Sequence, residues 1–216
     1  GQMWLEYELL TKPTLPGVFC VSTSYRNERN PIPGRHKIIF PMFEFESKGT
    51  LDDLRATEAQ LLEYLGFGQQ KNFVHKSYDE VAKYYKALEL TSKEENKMKE
   101  DFGNIVFLEK FPIYTSPFWN MKKSGDHANK IDVIINGQET IGSAERSSDK
   151  AEMRELFHTI SDGGYAAKLY DLFGKDRVEA ELDEFLSLDF FPRFGGGIGV
   201  SRLMTAVAEL QKVALS

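Results

Sequence analysis

The chain has 216 residues, 41% of them hydrophobic, 12% aromatic and 28% charged, a composition that supports a packed core and excludes a disordered tail protein. Its 33 acidic against 27 basic residues leave a net charge of −6, so bulk electrostatic binding to nucleic acid is not expected, although a local basic patch stays open. The lone cysteine, Cys20, excludes an intramolecular disulfide and a cysteine-based metal cluster. The apolar runs are too short to span a bilayer and no signal peptide opens the chain, so an intracellular, cytoplasmic, soluble protein is expected.

Up to about residue 16 the prolines and glycine suggest a loop feeding a strand. Residues 18–25 (VFCVSTSY) are β-branched and aromatic and read as that strand. A loop with two prolines, a glycine and the basic side chains Arg26, Arg29, Arg35 and His36 follows, and 37–46 (KIIFPMFEFE) returns as a second, antiparallel strand. Pro41 needs an edge, a bulge or a non-bonded position there. Leucines spaced over 51–66 after Thr50 predict an amphipathic helix with an N-cap. Residues 78–89 and 91–101 read as exposed helices. The runs 105–108, 131–135 and 138–143 read as strands, the last two joined by the Asn136-Gly137 turn. Helical patterns return at 149–160, 165–173 and 177–187, and a final helix runs from about 200 to 213 after a glycine-rich turn. The mixture predicts an α+β fold with an antiparallel sheet flanked by helices.

Three segments carry chemistry. Arg26 in Tyr25-Arg26-Asn27-Glu28 ends a strand, where an arginine can hold a phosphate or carboxylate bidentately, and Glu28 can orient it or accept from an amino group. A solvated hairpin tip accounts for this segment equally well. GGGIGVSR at 195–202 offers close backbone approach, a helix start and Arg202 one turn in, yet it matches neither a Walker A loop nor a dinucleotide fingerprint. Packing or capping would explain such glycines as readily. Asp132 and Glu139, on two strands joined by a tight turn, could share a phosphate-bound Mg²⁺, with Arg146 seven residues further on. On spacing alone, exposed strand-edge charges fit better. His75, His127 and His158 lack paired ligand spacing.

In this order the segments resemble the catalytic domain of class II aminoacyl-tRNA synthetases, in the aspartyl/asparaginyl/lysyl subgroup. Tyr25–Glu28, the loop to Arg35-His36 and the strand ending Phe43-Glu44-Phe45-Glu46 resemble motif 2, and GGGIGVSRL at 195–203 resembles motif 3. Phe111-Pro112, Pro117-Phe118-Trp119, Asp132, Glu139 and Glu145-Arg146 recur in the order of the Asp/Asn branch. The likeness runs from about 17 to 213. It implies one adenylation domain over 1–216 that uses ATP and Mg²⁺ to activate aspartate or asparagine. Arg26 would bridge the α-phosphate and the substrate carboxylate. Phe40 would lie under adenine, or simply pack in the core, and Gly197 and Gly199 would line the nucleotide site. Arg202 would stack on adenine or grip the γ-phosphate, with Arg35 and His36 on the triphosphate. Asp132 and Glu139 would carry Mg²⁺, and Arg146 with Glu145 would read the amino-acid side chain.

Some features depart from the family pattern. Motif 1 has no counterpart within 1–216, its place lying upstream of Gly1, and there is no room for an anticodon-binding domain. Ser116 stands where aspartyl enzymes often have a basic residue, Gly142 where a serine often helps hold metal, and Glu145 where glutamine is common. Glu-Arg together with Pro-Phe-Trp is similar to the archaeal asparagine synthetase related to this branch. The acceptor is therefore either a tRNA 3′ end or ammonia, a homodimer is implied, and the rival reading is a non-catalytic paralogue or fragment that binds nucleotide or a partner.

Overall fold

The computed structural model describes residues 1–27, 30, 31 and 37–214. Glu28, Arg35 and His36 lie outside the described residues.

The chain opens with helix α1 (Gln2–Thr11) where the prolines suggested loop; after Gly1 at its N-cap, Pro and Gly return only from residue 13, when the helix has ended. Its Leu5, Leu9 and Leu10 are buried, and so is Glu6. Strands β1 (Gly17–Tyr25) and β2 (Ile39–Lys48) form the expected hairpin. Helix α2 (Leu51–Tyr64) starts on a capping box, in which the Thr50 backbone N–H and hydroxyl donate to Asp53 at 2.8 and 2.9 Å. Next come β3 (Val74–Ser77), α3 (Tyr78–Tyr85), α4 (Ser92–Asp101) and β4 (Ile105–Pro112). The short β5 (Lys123–Ser124) precedes β6 (His127–Ile135) and β7 (Gln138–Glu145). Helices α5 (Lys150–Thr159), α6 (Gly164–Phe173) and α7 (Lys175–Ser187) lead to β8 (Arg193–Gly199) and α8 (Val200–Ala214).

The sheet order is β1-β2-β8-β7-β6-β4-β3, with β5 paired to β6. All neighbours are antiparallel except β3 and β4; the sequence patterning marked β4 at 105–108 and left β3 unassigned. The glycine run 195–199 is a central strand between β2 and β7 rather than a turn. Glycine is required there because a Cβ on Gly195 would lie 2.1 Å from the Glu46 carboxylate, and one on Gly196 2.6 Å from Ser143 Cβ. Pro41 pairs with Thr23 of β1 at a point where β2 has already run past the end of β8, so no ladder on that side is broken.

One face of the sheet packs its Phe107, Ile131, Val133, Ile141 and Ile198 under α2 and α8. On the opposite face α3 and α4 cover β4 and the end of β6 through Val81, Met98, Val106, Leu108 and Ile134. A third cluster joins α1 to α5–α7 around Trp119, Phe157, Leu182 and Phe185. Between these two flanks the sheet face over β2, β8 and β7 stays partly open.

Glu58 on α2 is buried in the first layer, and neither carboxylate oxygen has a hydrogen-bond partner. The neighbouring Ser143 hydroxyl donates instead to the Ile131 carbonyl at 3.2 Å. Burial raises the Glu58 pKa to about 8. Between the unfolded value near 4.5 and about 8, the folded chain keeps a proton that the unfolded chain releases. Stability is therefore fullest at the acid end of this window and falls by about 1.4 kcal/mol per pH unit on the alkaline climb. In thermal melts from pH 5 to 9, Glu58→Gln should flatten this decline and melt higher than the parent at pH 9; an unchanged slope would remove Glu58 as its source.

Candidate active site

The open face carries a cleft of about 330 Å³, within the range of small-molecule sites, lined by Arg26, Phe40, Glu139, Gly142, Gly199 and Arg202 among others. Gly197 also lies on its floor. Strand alternation explains the grouping: Phe40, Met42, Glu44 and Glu46 of β2 point to one side, level with Gly199, Gly197 and Gly195 of β8. Arg26 follows β1, its backbone N–H donating to the Ile38 carbonyl at 2.8 Å, and its guanidinium lies 5.3 Å from the Phe40 ring centre. From the other wall Arg202 donates to the Glu139 carbonyl.

The carboxylate pair depends on a bulge. Asp132 pairs with Gly142 and Val133 with Ile141, but Ile134 pairs with Glu139, so Thr140 is the extra residue. Under unbroken alternation through Thr140, Glu139 would share the face of Ile141 and Ser143 and point into the core; the bulge turns it to the side of Asp132. A Cβ on Gly142 would stand 3.0 Å from Glu139 Oε1 and 3.5 Å from Asp132 Oδ1, so both oxygens face the same small space. Asp132 Oδ1 is buried with no hydrogen-bond partner. Repulsion from Asp132, then burial, raises Glu139 to about 7, and burial raises Asp132. Two hard oxygens facing one space, the Asp132 one without a partner, fit Mg²⁺. Among the described residues no group of three His, Cys, Asp or Glu side chains is arranged to hold a metal, so the remaining positions would fall to phosphate oxygens and water.

Arg146 lies on the same face as Gly195 and Glu46, two residues beyond Ala144. Its Nε donates to Glu46 at 3.0 Å, its NH2 group closes a second contact to the same carboxylate, and Gln2 Oε1 of α1 lies 3.4 Å from NH2. Both partners are buried. Burial pushes Glu46 above the usual carboxylate range against the pull of Arg146. A second buried pair, Arg193 and Glu6 at 2.6 Å, fastens α1 beneath it. Glu145 does not join this group. Successive strand residues alternate, so it emerges on the opposite face and is held by Lys122 at 2.9 Å and Asn129 at 2.7 Å. Glu46 stands beside Arg146 in its place.

The structure thus gathers Arg26, Phe40, Gly197, Gly199, Arg202 and Glu139 in one cleft, with Asp132 buried at its edge and Arg146 deeper under α1. The sequence reading did not single out Glu6, Arg193 or Gln2 for the site, nor Glu46 as partner to Arg146. None of them left a clear signal: in FEFE the glutamates alternate with Phe43 and Phe45, which reads as carboxylates on the solvent side of a half-buried strand, and only the tertiary structure buries Glu46. His75, His127 and His158 each pair with a carboxylate, of Glu109, Asp79 and Glu179 respectively, rather than with one another.

The same architecture recurs in solved proteins. The asparaginyl-tRNA synthetase of Pyrococcus horikoshii, complexed with asparaginyl-adenylate, superposes with a TM-score of 0.75 at 22% identity, covering 97% of this chain and 52% of that one. Aspartyl-tRNA synthetase from Entamoeba histolytica gives 0.73 at 18% identity, over 96% and 48%. In sequence, aspartate–tRNA(Asp) ligase of Pyrobaculum aerophilum is 30% identical over 112 residues, 52% of this chain and 23% of that protein. The chain spans about half the length of its structural relatives. The family model for tRNA synthetases class II (D, K and N) matches residues 2–215. With that match over nearly its whole length, the chain belongs to the class II tRNA synthetases of the D, K and N group, a family of ligases.

Proposed function

We propose that this domain uses ATP and Mg²⁺ to activate an amino acid, asparagine by preference, as its aminoacyl-adenylate, and passes it to a tRNA 3′ end. The observation that carries the reading is the convergence of Arg26, Phe40 and Arg202 on one cleft with the Asp132–Glu139 pair at its edge. Arg26 holds the α-phosphate and the substrate carboxylate together and stabilises the charge that builds as the carboxylate oxygen attacks phosphorus in line and pyrophosphate departs. Phe40 and Arg202 position the nucleotide. Arg35 and His36 are assigned to the triphosphate, and Glu28 to orienting Arg26, on the family resemblance. Asp132 and Glu139 would hold Mg²⁺, which when bound neutralises charge on the leaving pyrophosphate.

The preference for asparagine follows from Glu46. A buried Arg146–Glu46 pair offers one N–H donor and one carboxylate acceptor, which complements the C=O and NH₂ of a carboxamide. An aspartate carboxylate would meet Glu46 at close range and be repelled. The aspartate–tRNA(Asp) ligase among the relatives favours aspartate instead. Family membership favours tRNA over ammonia as acceptor. The exposed Phe19, Val21, Tyr25 and Ile39 on β1 and β2 would suit a homodimer contact. No helix among the described residues is long and apolar enough to cross a membrane, and a cytoplasmic setting is part of the proposal.

ATP–pyrophosphate exchange across all twenty amino acids, with Mg²⁺ and without tRNA, tests the reading. Exchange with asparagine alone is expected, and exchange with aspartate alone would overturn the role given to Glu46. Folded protein that binds ATP yet exchanges with none would be a non-catalytic paralogue.

A further inference from the structure

Lys130 is not among the residues assigned to the reaction, yet it sits against one of them. It lies two residues before Asp132 on β6, on the same face, and its Nζ donates to Asp132 Oδ2. The ammonium is 3.6 Å from the centre of the Phe111 ring, so the aromatic face holds it from the other side. Its side chain is only 20% exposed. Asp132 therefore splits its oxygens: Oδ2 is taken by Lys130, while Oδ1, buried and without a partner, faces the space shared with Glu139 Oε1. A fixed positive charge thus stands beside the position where a divalent cation would bind, attached to one of the same ligands.

We propose that Lys130 is a resident counter-ion of the carboxylate pair, which weakens capture of a free divalent cation so that the metal enters with the nucleotide rather than ahead of it. The inference rests on reading Asp132 and Glu139 as the Mg²⁺ carboxylates. Lys130 makes the charge around the pair, which Glu95 and Arg202 also face, one unit less negative, and an incoming dication is repelled by an ammonium a few ångström away. Once nucleotide is bound, its phosphates add the negative charge that outweighs this repulsion. Apparent metal affinity then depends on nucleotide more strongly than two carboxylates alone would make it.

Mn²⁺ serves as the probe, its binding followed by electron paramagnetic resonance of the free ion with protein alone and no ATP. Lys130→Gln and Lys130→Met, at a partly exposed position where folding should survive, are expected to bind Mn²⁺ about tenfold more tightly than the parent. Lys130→Arg, which keeps the charge, should stay within about twofold of it. Asp132→Asn in the Lys130→Gln background should remove the gained binding. If neutral variants bind no more tightly, or if Lys130→Arg tightens as much as Lys130→Gln, the counter-ion role is overturned and the metal assignment stands. If folded parent and neutral variants alike fail to bind Mn²⁺, or if Asp132→Asn leaves the binding intact, the assignment of the carboxylate pair falls and the inference with it.

Discussion

Arg26→Ala is expected to lower amino-acid-dependent pyrophosphate exchange by about 10²–10³-fold while moving the thermal midpoint by no more than about 2 °C. The two halves of this expectation have different origins. Arg26 lies past the end of β1, half-buried, and its side chain reaches over Phe40 into the cleft rather than into any hydrophobic layer. Removing it forfeits little packing. What is lost is a planar donor pair set where negative charge accumulates as the carboxylate attacks phosphorus, and water cannot supply an equally oriented substitute. Arg26→Lys should recover little, because an ammonium cannot span two acceptors in the same plane. Exchange within threefold of the parent in Arg26→Ala would remove the residue from the chemistry.

Arg146→Ala should have the larger effect on the fold. Glu46 is wholly buried, and loss of its partner leaves an uncompensated carboxylate, a change that costs about 3–5 kcal/mol. For a chain of this length that corresponds to a fall in melting temperature of about 10 °C. The double variant Arg146→Met with Glu46→Leu, which replaces the pair by apolar groups of similar volume, should regain most of the loss. Amino-acid binding should not return, since neither donor nor acceptor for the substrate side chain remains. Melting curves and the amino-acid KM in exchange separate the two effects. A single variant as stable as the parent would mean that Glu46 is satisfied by other groups, and a double variant that binds asparagine normally would place the side-chain reader elsewhere.

How far the site could be read from sequence differs from residue to residue. Arg26 and Arg202 were legible because each stands at the boundary of a strongly patterned element, so their chain positions imply their places. Asp132 and Glu139 were legible as residue types joined by a tight turn. Their sharing a face was not, because a period-2 count from Gly142 puts Glu139 in the core and only the bulge at Thr140 reverses it. The error at Glu145 has the same root: adjacent residues in a strand look equally placed in sequence, while alternation sends Glu145 and Arg146 to opposite faces. Helix α1 was missed because apolar residues lie on several sides of it, including exposed Trp4, so no stripe stands out from the flanking Pro and Gly. Only its docking through Glu6 to Arg193 at the start of β8, and through Gln2 to Arg146 just past β7, reveals what it does.

The sequence by itself determined the class of the fold, the course of most helices and strands, and the order of the charged motifs, since local patterning and turn chemistry act over a few residues and are written in consecutive positions. The tertiary structure decided which charges meet. Whether Arg146 faces a substrate, Glu145 or Glu46, and whether the glycines 195–199 form a turn or a strand, depend on register between strands far apart in the chain. That register is set by burial of one whole face of the sheet under α2 and α8, a collective constraint that no single segment carries.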